Sequence, residues 1–281
     1  MTINSYSDKF LQPLLIGLTF FLPLSVFFTN LIALLILLIW IASGKFRLKI
    51  KEIYFSKIAK ASIYLFCVYL VGLIWSSDLF WGLEMTRKML EFLILLPILI
   101  TITRHQNISQ YINAFLYGTI ILLILSYGVW FEILPTFKYA TIENPTPLMS
   151  HISHTPIIAF ASYLVGYKLL FFEDINKRRL LFICLLIFFI SLTSNVFITA
   201  GRAGQLAYYL LFGLLIFQRF GITLKGLLLI IFSLTLVFFI SYNSSETYKK
   251  RINEISFDLS EMDNDRFNTS IGQRITLFIT H

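Results

Sequence analysis

Long runs of apolar residues divide this chain, and their lengths predict helices that cross a membrane. The first run, from Phe10 to Gly44, extends for 35 residues without a charge. About 20 residues cross the hydrocarbon layer of a bilayer as a helix, so this run is long enough for two short spans. Pro23 interrupts the run and Thr29-Asn30 offers a polar turn. Together they predict a helical hairpin.

Seven further apolar segments bring the predicted number of spans to about nine. They cover residues 58–76, 89–103, 109–131, 155–172, 180–199, 204–218 and 226–242. The predicted fold is therefore all-α, a polytopic transmembrane helix bundle formed by residues 1–242. Residues 243–281 follow the bundle as a polar tail.

The tail has a helical pattern of its own. Apolar residues spaced three or four positions apart form one stripe, at Tyr248, Ile252, Ile255, Leu259 and Met262. Charged residues fill the positions between them, so we expect an amphipathic helix on the outer surface of the membrane. Ser270 and Gln273 then have the spacing of a capping box, which places Arg274 in the first turn of a second helix.

Composition agrees with a membrane protein and excludes several other classes. Hydrophobic residues make up 57% of the chain and charged residues only 14%, whereas about a quarter of a soluble domain is charged. A soluble enzyme and a disordered chain are excluded on this ground. Cys67 and Cys184 both lie within apolar runs, which excludes a disulfide framework and a Cys-ligated zinc site. We expect neither a metal nor another cofactor.

The positive charges predict the orientation of the bundle, and the net charge of +8 does not point to nucleic acid as a partner. With the N-terminus in the cytoplasm, fourteen of the 23 Lys and Arg residues fall in inner segments, six of them in 45–60. Four fall in outer loops and five in the tail. Inner segments are expected to carry this excess. Nine spans then place the tail, and any chemistry, on the outer face.

Arg202 is the charge that topology explains least. It interrupts 39 otherwise uncharged residues, within Thr199-Ala200-Gly201-Arg202-Ala203-Gly204. Its guanidinium has five fixed donors and suits a phosphate or pyrophosphate, and the small neighbours would leave it uncovered. The alternative is a turn arginine that reaches the lipid headgroups. The sequence leaves both interpretations open.

Two other groups of polar residues are candidates. Arg87 follows Glu84 and precedes Lys88 and Glu91 at helical spacing, which is typical of a surface salt-bridge cluster, although Arg87 would also add positive charge at the outer mouth of the bundle. His151 and His154 lack a third ligand, so we expect a structural role at a loop or helix start and no metal site.

Three segments together resemble the O-antigen ligase family of polytopic inner-membrane glycan transferases. The opening Leu22-Pro23-Leu24-Ser25, with Asn30-Leu31-Ile32-Ala33-Leu34 and Trp40 after it, is similar to that family's first hairpin. Thr199–Gly204 resembles its Thr-x-Ser/Gly-Arg-x-Gly/Ala segment. Thr269-Ser270-Ile271-Gly272-Gln273-Arg274 resembles the Ser-x-x-x-Arg element that opens its large periplasmic domain.

This resemblance implies a reaction and a location. Family members transfer a preassembled glycan from undecaprenyl pyrophosphate to lipid A-core, at the periplasmic face of the bacterial inner membrane and without a metal. The matched arginines, Arg202 and Arg274, would hold the pyrophosphate as it leaves, with Arg87 as a further candidate. The implied partners are the lipid-linked glycan, the lipid A-core acceptor and membrane lipid.

The chain also departs from the family pattern. Family members have about twelve spans and a histidine, later in the large periplasmic loop, that is thought to act as general base. This chain ends at His281, so the resemblance implies a truncated product in which 243–281 begins that loop. The catalytic base stays unassigned.

Two rival functions remain open on the sequence. An O-antigen polymerase would use the same donor and a similar architecture. A small-anion permease would use Arg202 as its binding residue, but it would be expected to show repeated halves with broken helices, and the chain has no such symmetry.

Overall fold

The computed structural model describes residues 5–136, 140–172, 178–221 and 223–263, and it is all-helical, with no strand in these ranges. The chain forms two compact units, Met1–Gly118 and Thr119–His281. The predicted all-α fold class is therefore confirmed for the described part of the chain.

The first unit is built from helices of very different length. They are α1 (Ser5–Phe21), α2 (Val26–Ala42), α3 (Phe46–Phe55), α4 (Lys57–Gly72), α5 (Leu79–Lys88), α6 (Leu90–Leu93) and α7 (Leu95–Ile102). Short 3₁₀ turns follow α4 and α7, at Leu73–Trp75 and His105–Asn107. Helix α8 (Ile108–Trp130) begins in this unit and ends in the second.

The predicted hairpin is present as α1 and α2, but its turn lies at 22–25 and not at Thr29-Asn30. Pro23 cannot donate a backbone hydrogen bond, so it favours the break. Ser25 then caps α2 by accepting a hydrogen bond from the Phe28 amide at 3.4 Å. Thr29 and Asn30 are helical, in the first turns of α2.

The core of this unit combines apolar packing with a half-buried amide. Gln12 of α1 donates to the Ile102 carbonyl at 2.9 Å, and its oxygen accepts from Asn107 Nδ2 at 3.0 Å and from Tyr111 Oη. The apolar part of the core consists of buried side chains of α1, α2 and α7: Leu11, Leu15, Leu18, Ile36, Ile98 and Ile102. These contacts hold α1, α2 and α7 together.

The chain bends by 119° between α2 and α3. Gly44 and Lys45 produce the bend with φ values of +63° and +55°, a region that costs a non-glycine residue energy. Lys49 is fully buried and holds the bend closed, since its ammonium donates to Ser43 Oγ at 2.7 Å and to the Trp40 carbonyl. The basic segment 45–60, which the charge pattern treats as an inner loop, is mostly helical, because it contains α3 and the start of α4.

The second unit is arranged around one central helix. It comprises the end of α8, then α9 (His151–Phe171), α10 (Arg179–Ile198), α11 (Arg202–Phe220), α12 (Leu224–Ser244) and α13 (Glu246–Asp263). Helix α9 packs against both α10 and α11, while α12 packs on α11 and α13 contacts α10 and α12. Among the buried residues of α9 are Ile158, Ala159, Ala161 and Val165.

Several helices have the length and apolar composition needed to cross a membrane. Four qualify as single segments, namely Lys57–Trp75, His105–Trp130, Arg179–Ile198 and Leu224–Ser244, and the bent α2–α3 pair makes a fifth if it is counted as one span. Shorter apolar helices cover Lys9–Phe21 and Leu90–Ile102. The structure thus agrees with the sequence on a chain rich in long apolar helices.

The predicted tail helix is present as α13. Tyr248, the first residue of its apolar stripe, packs against the other helices of the second unit. Tyr248 is buried and Ile252 is half-buried. The capping-box residues Ser270 and Gln273, with Arg274, lie outside the described residues.

Candidate functional site

Arg202 lies at a helix start, at one end of the second unit. Helix α10 ends at Ile198, Thr199-Ala200-Gly201 makes the connection, and Arg202 is the first residue of α11. The charge that interrupts the long apolar run therefore lies at the junction of two helices and not in the middle of one. A helix N-terminus presents unpaired backbone amides and a partial positive charge, so it adds to the attraction of an anion.

Glycines on either side of Arg202 allow α9 and α11 to approach closely. A Cβ atom on Gly204 would lie 2.5 Å from Thr155 Cβ, and one on Gly201 would lie 2.2 Å from Thr155 Oγ1. Both distances are too short for any side chain. The small residues around Arg202, which the sequence interprets as leaving the guanidinium uncovered, thus also serve the packing of Thr155 of α9.

A chain of buried hydrogen bonds runs beneath this turn. Asn195 accepts from His154 Nε2 at 2.9 Å and donates to Ser126 Oγ at 2.8 Å, and Ser126 donates to the Pro145 carbonyl at 2.5 Å. Ser126, His154 and Asn195 are fully buried. This order of donors makes His154 Nε2 the protonated nitrogen. His154 Nδ1 is buried with no hydrogen-bond partner among the described residues.

A second set of polar contacts fixes the backbone of the turn itself. Thr199 Oγ1 lies 3.0 Å from Thr155 Oγ1, and the Thr199 carbonyl accepts from Gln205 Nε2 at 2.9 Å. The Ala200 amide donates to Asn144 Oδ1 at 3.0 Å. Residues from α9, from α11 and from the loop before α9 therefore fix the backbone of the segment that precedes Arg202.

The Arg202 guanidinium pairs with a carboxylate of the tail helix. Arg202 Nη2 lies 2.5 Å from Glu254 Oε2 of α13. The two side chains are 33% and 47% exposed, so solvent and solutes reach both of them. An exposed pair of this kind contributes only about 0–1 kcal/mol, and a stronger anionic ligand such as pyrophosphate can compete with it.

Helix α13 is anchored beside the turn by an aromatic cluster. Tyr248 Oη lies 2.9 Å from Tyr209 Oη, and the Tyr248 ring packs edge-on against Phe197, with centroids 5.1 Å apart. Ser245, which precedes the helix, donates to the Phe197 carbonyl at 2.7 Å. Burial raises the pKa of Tyr248. Its phenol is therefore neutral at ordinary pH and serves to dock α13.

A groove of about 280 Å³ lies between α10, α11 and α12, close to this turn. We call it the serine-lined groove, because Ser194, Ser241, Ser244 and Ser245 line it together with apolar side chains. Phe197 and Ile198 also line it, and they directly precede the connection that carries Arg202. The wall that α10 contributes to the groove thus leads along the chain into the connection before Arg202.

The three arginines predicted as site residues fall in different parts of the chain. Arg202 belongs to the second unit and Arg87, which is exposed at the end of α5, belongs to the first. Arg274 lies outside the described residues. Lys88 pairs with Glu84 at 3.1 Å, as the spacing predicts. Helix α5 ends at Lys88, however, so Glu91 belongs to α6 and is not on the same helix.

The two histidines have different environments. His151 is the first residue of α9, and His154 belongs to the buried hydrogen-bond chain. Within the described ranges, no three His, Cys, Asp or Glu residues come close enough to hold a metal ion.

The sequence pattern does not single out several polar residues of this site, namely Ser126, Asn144, Thr155, Asn195, Gln205 and Glu254. Asn195 carried a usable signal, because an amide in a strongly apolar run is costly unless it is paired. Glu254 could be assigned to the polar face of the tail helix, but its pairing with Arg202 depends on how α13 docks.

Comparison of the chain with protein-family models, with curated proteins and with solved structures finds no match. The chemistry of the Arg202 turn therefore carries the functional argument.

Proposed function

We propose that this chain is a membrane-embedded glycosyltransferase of the O-antigen ligase type. It transfers a preassembled glycan from undecaprenyl pyrophosphate to lipid A-core at the periplasmic face of the bacterial inner membrane. The observation that carries the proposal is Arg202, an accessible guanidinium at a helix start that follows directly on one wall of the serine-lined groove. This combination suits a ligand with a charged pyrophosphate and a hydrocarbon tail.

The exposed surface of the helices supports the membrane part of the proposal. Only 11% of the residues in the apolar stretch of α12 are buried, and only 22% of those in the apolar stretch of α10. Soluble proteins rarely expose apolar surfaces of this size to water. We infer a bundle of about nine spans, in which the more polar α9 and α11 lie inside and the N-terminus is cytoplasmic.

The role proposed for Arg202 follows from the charge that develops in the reaction. The acceptor hydroxyl gives its proton to a general base and attacks the anomeric carbon. The new glycosidic bond forms as the bond from that carbon to the pyrophosphate oxygen breaks, and undecaprenyl pyrophosphate leaves. Negative charge grows on the departing pyrophosphate. A guanidinium with parallel donors, together with the amides at the start of α11, stabilises that charge where it forms.

In this proposal the serine-lined groove binds the part of the polyprenyl chain that lies next to the pyrophosphate of the donor. Its hydroxyls lie among apolar side chains, and one end is formed by the residues that lead into the Arg202 turn. A chain entering the groove would leave its pyrophosphate near Arg202. Glu254 would release the guanidinium as the donor binds.

The test is a lipopolysaccharide gel of a strain that lacks the gene, with extraction of its undecaprenyl-linked glycans. We expect lipid A-core without its polymer ladder, and long glycan accumulating on the carrier lipid. Wild-type gene and Arg47→Ala, which removes an exposed arginine of the first unit, should restore the ladder, and Arg202→Ala should not.

Other results of the same test have definite meanings. A core that carries a single repeat unit would identify a polymerase and contradict the ligase proposal. An unchanged ladder in the deletion strain would contradict both glycan-transfer functions.

A further inference from the structure

A second groove lies toward the other end of α10 and α11. Helices α9, α10 and α11 enclose about 320 Å³ between Leu169, Leu170, Phe182, Leu186, Leu215 and Phe220, and every residue that lines the space is apolar. We call it the inner groove. Phe189 and Phe212 line both grooves, with ring centroids 6.3 Å apart. This aromatic pair thus separates the inner groove from the serine-lined one.

The inner groove is large, apolar and open at its side. A cavity of about 150 Å³ already accommodates benzene, and apolar cavities are not filled by water, because water finds no hydrogen-bond partner in them. Leu170, Leu186 and Phe220 are 37%, 38% and 47% exposed, so the groove opens to the surroundings of the protein. The groove therefore suits a flexible hydrocarbon chain that enters from the side.

Three helices bring a cation to the same end of the groove. Arg219 precedes the lining residue Phe220 in the last turn of α11, and its guanidinium lies 5.8 Å from the ring centroid of Phe171, next to Leu170. Arg179 begins α10, one turn before Phe182. Lys168 directly precedes Leu169. Arg179 and Arg219 are exposed, and a phosphate at this end would be close to several positive side chains.

We propose that the inner groove binds one acyl chain of an anionic phospholipid, with the lipid phosphate held by Arg219 and Arg179. The apolar lining selects a hydrocarbon chain, and the basic rim selects a headgroup with net negative charge. This lipid is distinct from the polyprenyl donor proposed above, since it occupies the groove at the opposite end of α10 from Arg202. The assignment does not rest on the proposed transferase function.

The test measures lipid retention by the purified, delipidated full chain in detergent. The probes are phosphatidylglycerol and phosphatidylcholine with identical acyl chains, and native mass spectrometry counts the lipids bound. We expect one phosphatidylglycerol per chain at concentrations that leave phosphatidylcholine largely unbound. Arg219→Gln should weaken phosphatidylglycerol retention by roughly fivefold, and Arg47→Gln, an exposed arginine of the first unit, should leave it unchanged.

Variants that fill the groove test the acyl-chain site separately. Leu186→Trp should reduce retention of phosphatidylglycerol by roughly tenfold, because it displaces several methylene groups of the chain. Ile187→Trp places the same side chain at a neighbouring position that is 59% exposed and does not line the groove, so it should have no effect. Leu170→Trp repeats the test from α9, in case Leu186→Trp does not yield folded protein.

Three results would overturn the assignment. Equal retention in the wild type and in the groove-filling variants would show that the chain binds elsewhere. Equal retention of the two phospholipids by the wild type would exclude selection of an anionic headgroup. Displacement of phosphatidylglycerol by undecaprenyl phosphate, one for one, would assign the groove to the polyprenyl chain. Lipid retention is measured without any transfer reaction, so failure of the proposed function would leave these results interpretable.

Discussion

Arg202 combines a rigid backbone with an accessible side chain. Hydrogen bonds to Asn144, Thr155 and Gln205 fix the turn before it. Among the described residues, its guanidinium forms an ion pair with the exposed carboxylate of Glu254. A fixed backbone lowers the cost of reorganisation when charge develops, and the guanidinium becomes available when Glu254 releases it. The site therefore has the properties expected of a phosphate-binding arginine.

Removal of the competing carboxylate should strengthen anion binding. We predict that Glu254→Gln tightens the binding of undecaprenyl pyrophosphate to the purified chain by about three- to fivefold, the range expected for loss of an exposed ion pair. Calorimetric titration in detergent measures the change. Glu84→Gln is the matched control, because Glu84 also forms an exposed ion pair, with Lys88. Weaker binding by Glu254→Gln would show that the carboxylate supports the donor site instead of competing with the donor.

Asn195 should be important for stability because it is buried and links His154 to Ser126. We predict that Asn195→Leu lowers the free energy of unfolding by about 2–5 kcal/mol, because it leaves His154 Nε2 and Ser126 Oγ buried without their partner. Asn30→Leu, at an exposed position of α2, should change it by less than about 0.5 kcal/mol. Chemical unfolding in detergent provides the measurement, and a similar small change in both variants would count against the hydrogen-bond chain.

At the scale of helices, the second unit depends on the close approach of α9 and α11. Gly201 and Gly204 place the start of α11 directly against Thr155. The sequence pattern predicts the turn between α10 and α11, because small residues surround a charge between two apolar runs. It does not predict which helix fills the space, since Thr155 and Asn144 are about 50 residues away along the chain and meet the turn only after folding.

Substitution of one α11 glycine should be far more damaging than substitution of another. We predict that Gly204→Ala lowers the free energy of unfolding by about 1–3 kcal/mol, because its Cβ would overlap Thr155. Gly213→Ala should be neutral or stabilising by up to about 1 kcal/mol, because the nearest atom to a Cβ there is 3.9 Å away and alanine favours a helix. Thermal unfolding of the two variants compares them. Equal effects would contradict the close contact of α9 and α11.

At the scale of the whole molecule, composition and apolar runs are enough to predict an all-helical protein, for the residues that the structure describes, with several helices long and apolar enough to cross a membrane. They do not predict the bend between α2 and α3, because it depends on left-handed backbone at Gly44 and Lys45 and on the buried Lys49. Charge patterns describe the basic segment 45–60 as a loop, yet α3 uses one of those charges to close the bend. Local sequence does not contain that tertiary contact.

The proposed topology places the tail helix α13 outside the cytoplasm. We predict that alkaline phosphatase fused after His281 is active and that a fluorescent protein that matures only in the cytoplasm is dark at the same position. The same pair of fusions within the basic segment after Lys51 should give the opposite pattern, because that segment is expected to be cytoplasmic. A cytoplasmic signal at the tail would reverse the orientation and remove the Arg202 turn from the periplasmic face.

The central claim, that Arg202 binds the pyrophosphate of a polyprenyl donor, is tested most directly by the affinity of the purified chain for undecaprenyl pyrophosphate. We predict that Arg202→Lys weakens this affinity by about tenfold or more, because lysine keeps the charge but lacks the paired donors of the guanidinium. Arg47→Lys should bind as the wild type does. Equal affinity of the wild type and Arg202→Lys would contradict the account.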